Sequence, residues 1–120
     1  MSAALRHITI AITAGIALVA ISSRPVHAGQ DAALVAKGKT VYAAQKCSMC
    51  HAIEGKGGKA SALDGVGKKL TADEIRAWIV TPKEATAKAK STKKPPMADK
   101  YSKLPAADID ALVAYMQSLK

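Results

Sequence analysis

The sequence predicts an all-α domain that closes around something other than its own side chains. Three observations carry this. Apolar residues recur at helical spacing in several separate segments. No run of alternating apolar residues suggests a strand. The 120 residues contain no Phe, one Trp and three Tyr, although 49% are hydrophobic, so bulky core filler is scarce. That length allows one small domain. Two cysteines exclude a disulfide-rich scaffold, and the apolar content with mixed charges argues against disorder.

The first element is a leader. Arg6 and His7 form a short basic region ahead of an apolar run from Ile8 to Ile21. Ser22, Ser23, Arg24 and Pro25 break the run, and Val26-His27-Ala28 places small residues at the −3 and −1 positions of a cleavage site. This is the pattern of a secretory signal peptide, residues 1–28, removed after Ala28. An uncleaved anchor is disfavoured, because 14 apolar residues fall short of the roughly 20 that span a bilayer. No stable membrane insertion is expected. Cleavage leaves the domain 29–120, with 16 basic and 9 acidic side chains and a net charge of +7. One histidine remains in it, His51, directly after Cys50.

The first helix is expected from Asp31, an N-cap candidate, to about Lys46, with Leu34, Val35, Val41 and Tyr42 on one face. Thr71-Ala72-Asp73-Glu74 reads as a capping box. Ile75, Trp78 and Ile79 follow it at i, i+3, i+4 spacing, and Pro82 is expected to stop that helix. Pro105 is expected in the first turn of the last helix, whose stripe is Ile109, Leu112, Val113, Met116 and Leu119. Two loops of consequence remain. Glu54 to Leu70 is rich in glycine but has no preceding strand and no Gly-Lys-Ser/Thr ending, so it is not a phosphate-binding loop. Pro82 to Pro105 carries seven lysines against Glu84 and Asp99.

The chemistry lies in Cys47-Ser48-Met49-Cys50-His51. C-x-x-C-H is the attachment signal of c-type haem. Two thiols three positions apart on a helical turn reach the vinyl groups of adjacent pyrroles and form two thioethers. The next residue then aims its imidazole at the iron. An exported precursor is consistent with that chemistry, and one covalent haem c would supply the missing aromatic bulk. Three alternatives compete. Zinc needs four ligands, and the cluster offers three. A thioredoxin-like dithiol needs a strand-to-helix junction, whereas the preceding segment reads as helix. The third is a plain disulfide.

A sixth ligand cannot be a second histidine from this domain. Met49 is tied to the attachment loop, and Met116 falls on the apolar stripe of the last helix. Met97 sits in the lysine-rich loop behind Pro95-Pro96, which stiffen its approach, and is the favoured distal ligand. A thioether ligand raises the reduction potential and leaves little room for substrate.

These residues resemble the small single-haem class I c-type cytochromes over essentially the whole domain after the leader. The resemblance implies the class I cytochrome c fold, three to five helices wrapped around one covalently bound haem. Cys47 and Cys50 match its thioether positions, His51 its proximal ligand and Met97 its distal one. Gly38 with Tyr42, and Leu112 with Tyr115, look like the family's contact between terminal helices, where a glycine admits close backbone approach and an aromatic covers the haem. Ordinary core packing is the plainer reading of these four, and the two readings are compatible. Trp78 lies where many relatives place a ring near a haem propionate, or it is a core residue. The chain departs from the pattern twice. Ser61 stands where relatives usually have proline before the leucine of the proximal loop, near a carbonyl that accepts the imidazole N–H. Met97 is followed by Ala98, not by proline.

The resemblance implies outer-sphere one-electron transfer by a soluble periplasmic carrier, not an enzyme. The lysines around Met97 imply larger redox proteins with an acidic docking surface as donor and acceptor. Nucleic acid is a poor partner, since no recognition motif or interleaved aromatic set is present; attraction to phospholipid is weak, and a monomer is preferred. Two alternatives stand beside the carrier. One is a five-coordinate haem protein that binds a gas or reduces peroxide, against which no distal His or Arg stands out. The other is the haem subunit of a larger dehydrogenase complex.

Overall fold

A computed structural model describes residues 32–120. The predicted leader, its cleavage point and the Asp31 cap lie outside the described residues.

Helix α1 (Ala32–Ala44) presents the expected face, with Val41 buried and Leu34, Val35 and Tyr42 half-buried. It ends two residues before the expected limit, because Lys46 turns left-handed at φ 54° and starts a 3₁₀ turn over Cys47–Met49. Helix α3 (Ala72–Val80) begins at the expected capping box. The Glu74 N–H donates to the Thr71 hydroxyl at 3.3 Å and the Thr71 N–H to Glu74 Oε2 at 2.8 Å. Helix α5 (Ala106–Ser118) buries Ile109, Leu112, Val113 and Met116. Pro105 sits just before its first turn, and its carbonyl accepts from Asp108 and Ile109.

α1 and α5 are in backbone contact. A methyl on Gly38 would lie 2.1 Å from the Ala111 carbonyl oxygen and 2.6 Å from Tyr115 Cβ. Only hydrogen fits there, which is why a glycine, poor in a helix interior, occupies the crossing. Val41 of α1, Ile75 and Ile79 of α3 and the buried stripe of α5 form one aliphatic core. No polar side chain is buried among the described residues.

The structure corrects two expectations. A small sheet occupies the segment read as irregular: β1 (His51–Ile53), β2 (Lys56–Gly57) and β3 (Ser61–Ala62), in the order β2-β1-β3. β1 pairs antiparallel with β2 and parallel with β3, His51 opposite Ser61. Strands of two or three residues have no period to read. Their hairpin turns on Glu54 (φ 51°) and Gly55 (φ 73°), both left-handed as a tight two-residue turn requires. The Asp64 carboxylate holds that turn by accepting from the Glu54 N–H at 2.7 Å. Pro82, secondly, does more than end a helix. It opens α4 (Pro82–Lys88) and is fully buried. Proline is favoured at a first helical position, where its missing N–H has no intrahelical partner. A 3₁₀ segment, Asp99–Lys103, follows Met97.

A polar clasp closes the domain. Helix α2 (Val66–Lys69) is tied to the end of α5 by the Gly67 N–H donating to the Leu119 carbonyl at 2.8 Å. Lys120 Nζ donates to the Gly67 carbonyl at 2.9 Å, and Gln117 Nε2 to Leu70 at 2.7 Å. No described helix is long and apolar enough to cross a membrane.

Candidate haem-attachment site

Cys47 and Cys50 bracket the 3₁₀ turn after α1, and His51 opens β1. Both thiols are free, Cys47 half-buried and Cys50 exposed. Burial pushes the Cys47 thiol up, while its backbone hydrogen bond and the Lys100 ammonium pull it back.

The imidazole of His51 is half-buried and fixed by one bond: Nδ1 lies 3.2 Å from the Ser61 carbonyl oxygen. A carbonyl can only accept, so Nδ1 carries the hydrogen and Nε2 carries the lone pair. Burial lowers the imidazole pKa, partly offset by the Ser61 carbonyl. The ring is thereby kept in the neutral form that ligates metals. Serine in place of proline therefore leaves the orienting carbonyl in position.

The His51 backbone is held as well. The Tyr42 hydroxyl donates to the His51 carbonyl at 3.2 Å. Gly57, at φ 118°, lies so close that a side chain there would come within 2.2 Å of the same oxygen. Tyr42 and Tyr115 meet edge to face, centroids 5.7 Å apart and planes at 82°. Chiefly through burial, the Tyr42 phenol is pushed up to about 12.

Met97 is half-buried and packs against the aliphatic core, together with Tyr101 and Leu104. It follows a cis Lys94–Pro95 bond. Met116 is buried in that core, as its position on the helical stripe predicts, and Met49 is 74% exposed. Trp78 is half-buried on the side of α3 facing α4, lining a cavity of about 210 Å³ with Leu70, Ala77 and Ala85.

The donor set suits an iron already held in a porphyrin. Among the described residues no group of three or more His, Cys, Asp or Glu side chains could hold a bare metal ion. An iron in a macrocycle needs only axial donors, and its vinyl groups need two free thiols. Leu63, Val66, Met97, Tyr101 and Leu104 remain half-buried against the core, so apolar surface is left for a cofactor to cover. One feature here had no legible signal: the Tyr42 hydroxyl reaches a carbonyl nine residues on, beyond any local motif. The Ser61 carbonyl was legible only through the resemblance, since every residue type carries a backbone oxygen.

Residues 35–120 match the family model described as Cytochrome c. No curated protein and no solved structure matches the chain.

Proposed function

Because the chain belongs to the cytochrome c family, we propose that it is a soluble periplasmic carrier that exchanges one electron at a time through a haem c with His51 and Met97 as axial ligands. The family carries its haem c covalently, and Cys47 and Cys50 fit the C-x-x-C-H pattern. Its members are generally electron-transfer proteins. When bound, the haem supplies a one-electron ferric/ferrous couple.

The remaining work falls to the chain. Cys47 and Cys50 fasten the cofactor to the turn after α1. His51 offers Nε2, because its Nδ1–H is committed to Ser61 at 3.2 Å, and this bond is the observation that carries the proposal. Met97 offers a soft thioether, which favours ferrous iron and raises the potential. With His51 and Met97 holding the iron, no position on it would remain open to substrate.

The leader pattern over residues 1–28 supports export to the periplasm. The lysines of the segment 82–105 support docking on an acidic surface of larger redox proteins, with no role for nucleic acid and with a monomer as the working form. Lys83 is already paired with Asp99 at 2.8 Å, so the others supply the field. The oxidised protein should show the weak near-red sulfur-to-iron band, and Met97→Ala should abolish it and lower the potential. Rapid binding of carbon monoxide by the reduced wild type would replace the carrier with the five-coordinate alternative.

A further inference from the structure

We propose, resting on His51 as the proximal ligand, that the Tyr42 hydroxyl is a positioning group: it transmits the packing of α1 on α5 to the backbone of the ligand. The phenol donates to the His51 carbonyl at 3.2 Å.

Consider what fixes each end of that bond. At the donor end, Tyr42 cannot slide along α1. Its ring meets Tyr115 edge to face at 5.7 Å. One turn earlier, Gly38 seats α1 directly on the Ala111 carbonyl of α5, where even a methyl would lie at 2.1 Å. At the acceptor end, the His51 carbonyl is walled by Gly57, against which a Cβ would come to 2.2 Å. The imidazole is held separately by Ser61, and β1 is tied to β3 by the Leu63 N–H donating to Ala52 at 2.8 Å. The ring bond orients the imidazole about its own axis. The phenol bond fixes the peptide from which the imidazole hangs. Together they leave the ligand little freedom to tilt.

The hydroxyl is the discriminating atom. A phenylalanine at 42 keeps the ring, its burial and its edge contact, and loses only the donor. Tyr115→Phe is the comparison, because it removes the other hydroxyl of the same edge-to-face ring pair.

The test compares Tyr42→Phe and Tyr115→Phe as isotope-labelled holoproteins. Three quantities are read: amide exchange at Ser61 and Leu63, the hyperfine-shifted resonances of the His51 ring in the oxidised state, and the reduction potential. Tyr42→Phe should speed exchange at those two amides about fivefold. That corresponds to one hydrogen bond of about 1 kcal/mol at 1.4 kcal/mol per tenfold. It should also move the His51 ring resonances and the potential, while Tyr115→Phe leaves all three unchanged. The proposal is overturned if the two variants behave alike. Exchange rising equally along α1 and α5 would also overturn it, since that marks simple loss of packing. Should the His51 ring of the wild type show no hyperfine shift, His51 is not the ligand, and the proposal fails with its premise before any variant is compared.

Discussion

Gly38→Ala probes the contact on which the proximal side of the domain is built. In an exposed helix interior this change gains about 1 kcal/mol of helix propensity. Here the new methyl would lie 2.1 Å from the Ala111 carbonyl oxygen and 2.6 Å from Tyr115 Cβ. Ordinary carbon–oxygen contact lies well beyond 3 Å, so α1 and α5 must separate by about an ångström. The obstructing oxygen belongs to a helical backbone and cannot rotate aside, which puts the strain near the upper end of the roughly 1–3 kcal/mol typical of overpacking. Subtracting the propensity gain leaves a loss of about 2 kcal/mol. In a domain of this size, 1 kcal/mol moves the melting temperature by about 4–8 °C, so a fall of about 8–16 °C is expected. The assay is thermal unfolding of the holoprotein followed by far-ultraviolet circular dichroism. A variant as stable as wild type, or more so, would refute the close approach of the two helices.

Two further outcomes follow from the surface. Thr71→Ala should cost about 1 kcal/mol by urea titration, the usual worth of an N-cap side chain. Backbone and side-chain hydrogen bonds from Thr71 hold the Glu74 carboxyl below its ordinary range. Its contribution is therefore complete above the unfolded pKa and is lost as pH falls through the folded one, and this acid loss should be shallower in the variant. Electron exchange with an acidic redox partner should slow as salt rises, and Lys100→Glu should slow it at low salt. Stopped-flow rates indifferent to both changes would remove the lysines from docking.

The helices were legible because their signals are local. A period of 3.6 marks α5, and the Thr71/Glu74 pair marks the start of α3 within four residues. The elements that escaped are those whose cause lies elsewhere in the chain. Pro82 reads as a stop from the preceding side, and only the buried turn that follows makes it a beginning. The clasp of Gln117 on Leu70 joins residues remote in sequence through a backbone oxygen, so no spacing announces it. The attachment pentapeptide was plain for the opposite reason: two thioethers and an axial bond to one planar group force three reactive residues into five positions. Met97 has no such neighbours. Its place in the chain acquires meaning only once an iron is assumed.

Ser61 shows how far a departure from a family pattern can be read. What His51 requires from this position is a carbonyl oxygen, and serine and proline supply the same one. They differ at the nitrogen. Proline would fix φ near −65° and carry no hydrogen, whereas the Ser61 N–H donates to the Cys50 carbonyl at 3.3 Å. That bond belongs to the register in which His51 faces Ser61 in the parallel pair. Serine thus exchanges the rigidity of a ring for a rung between β1 and β3, and the rung holds the acceptor opposite the ring it must orient. The bond is long, so its strength is modest. Its effect is geometric: it acts on the residue that carries the acceptor, one peptide away from the imidazole it serves.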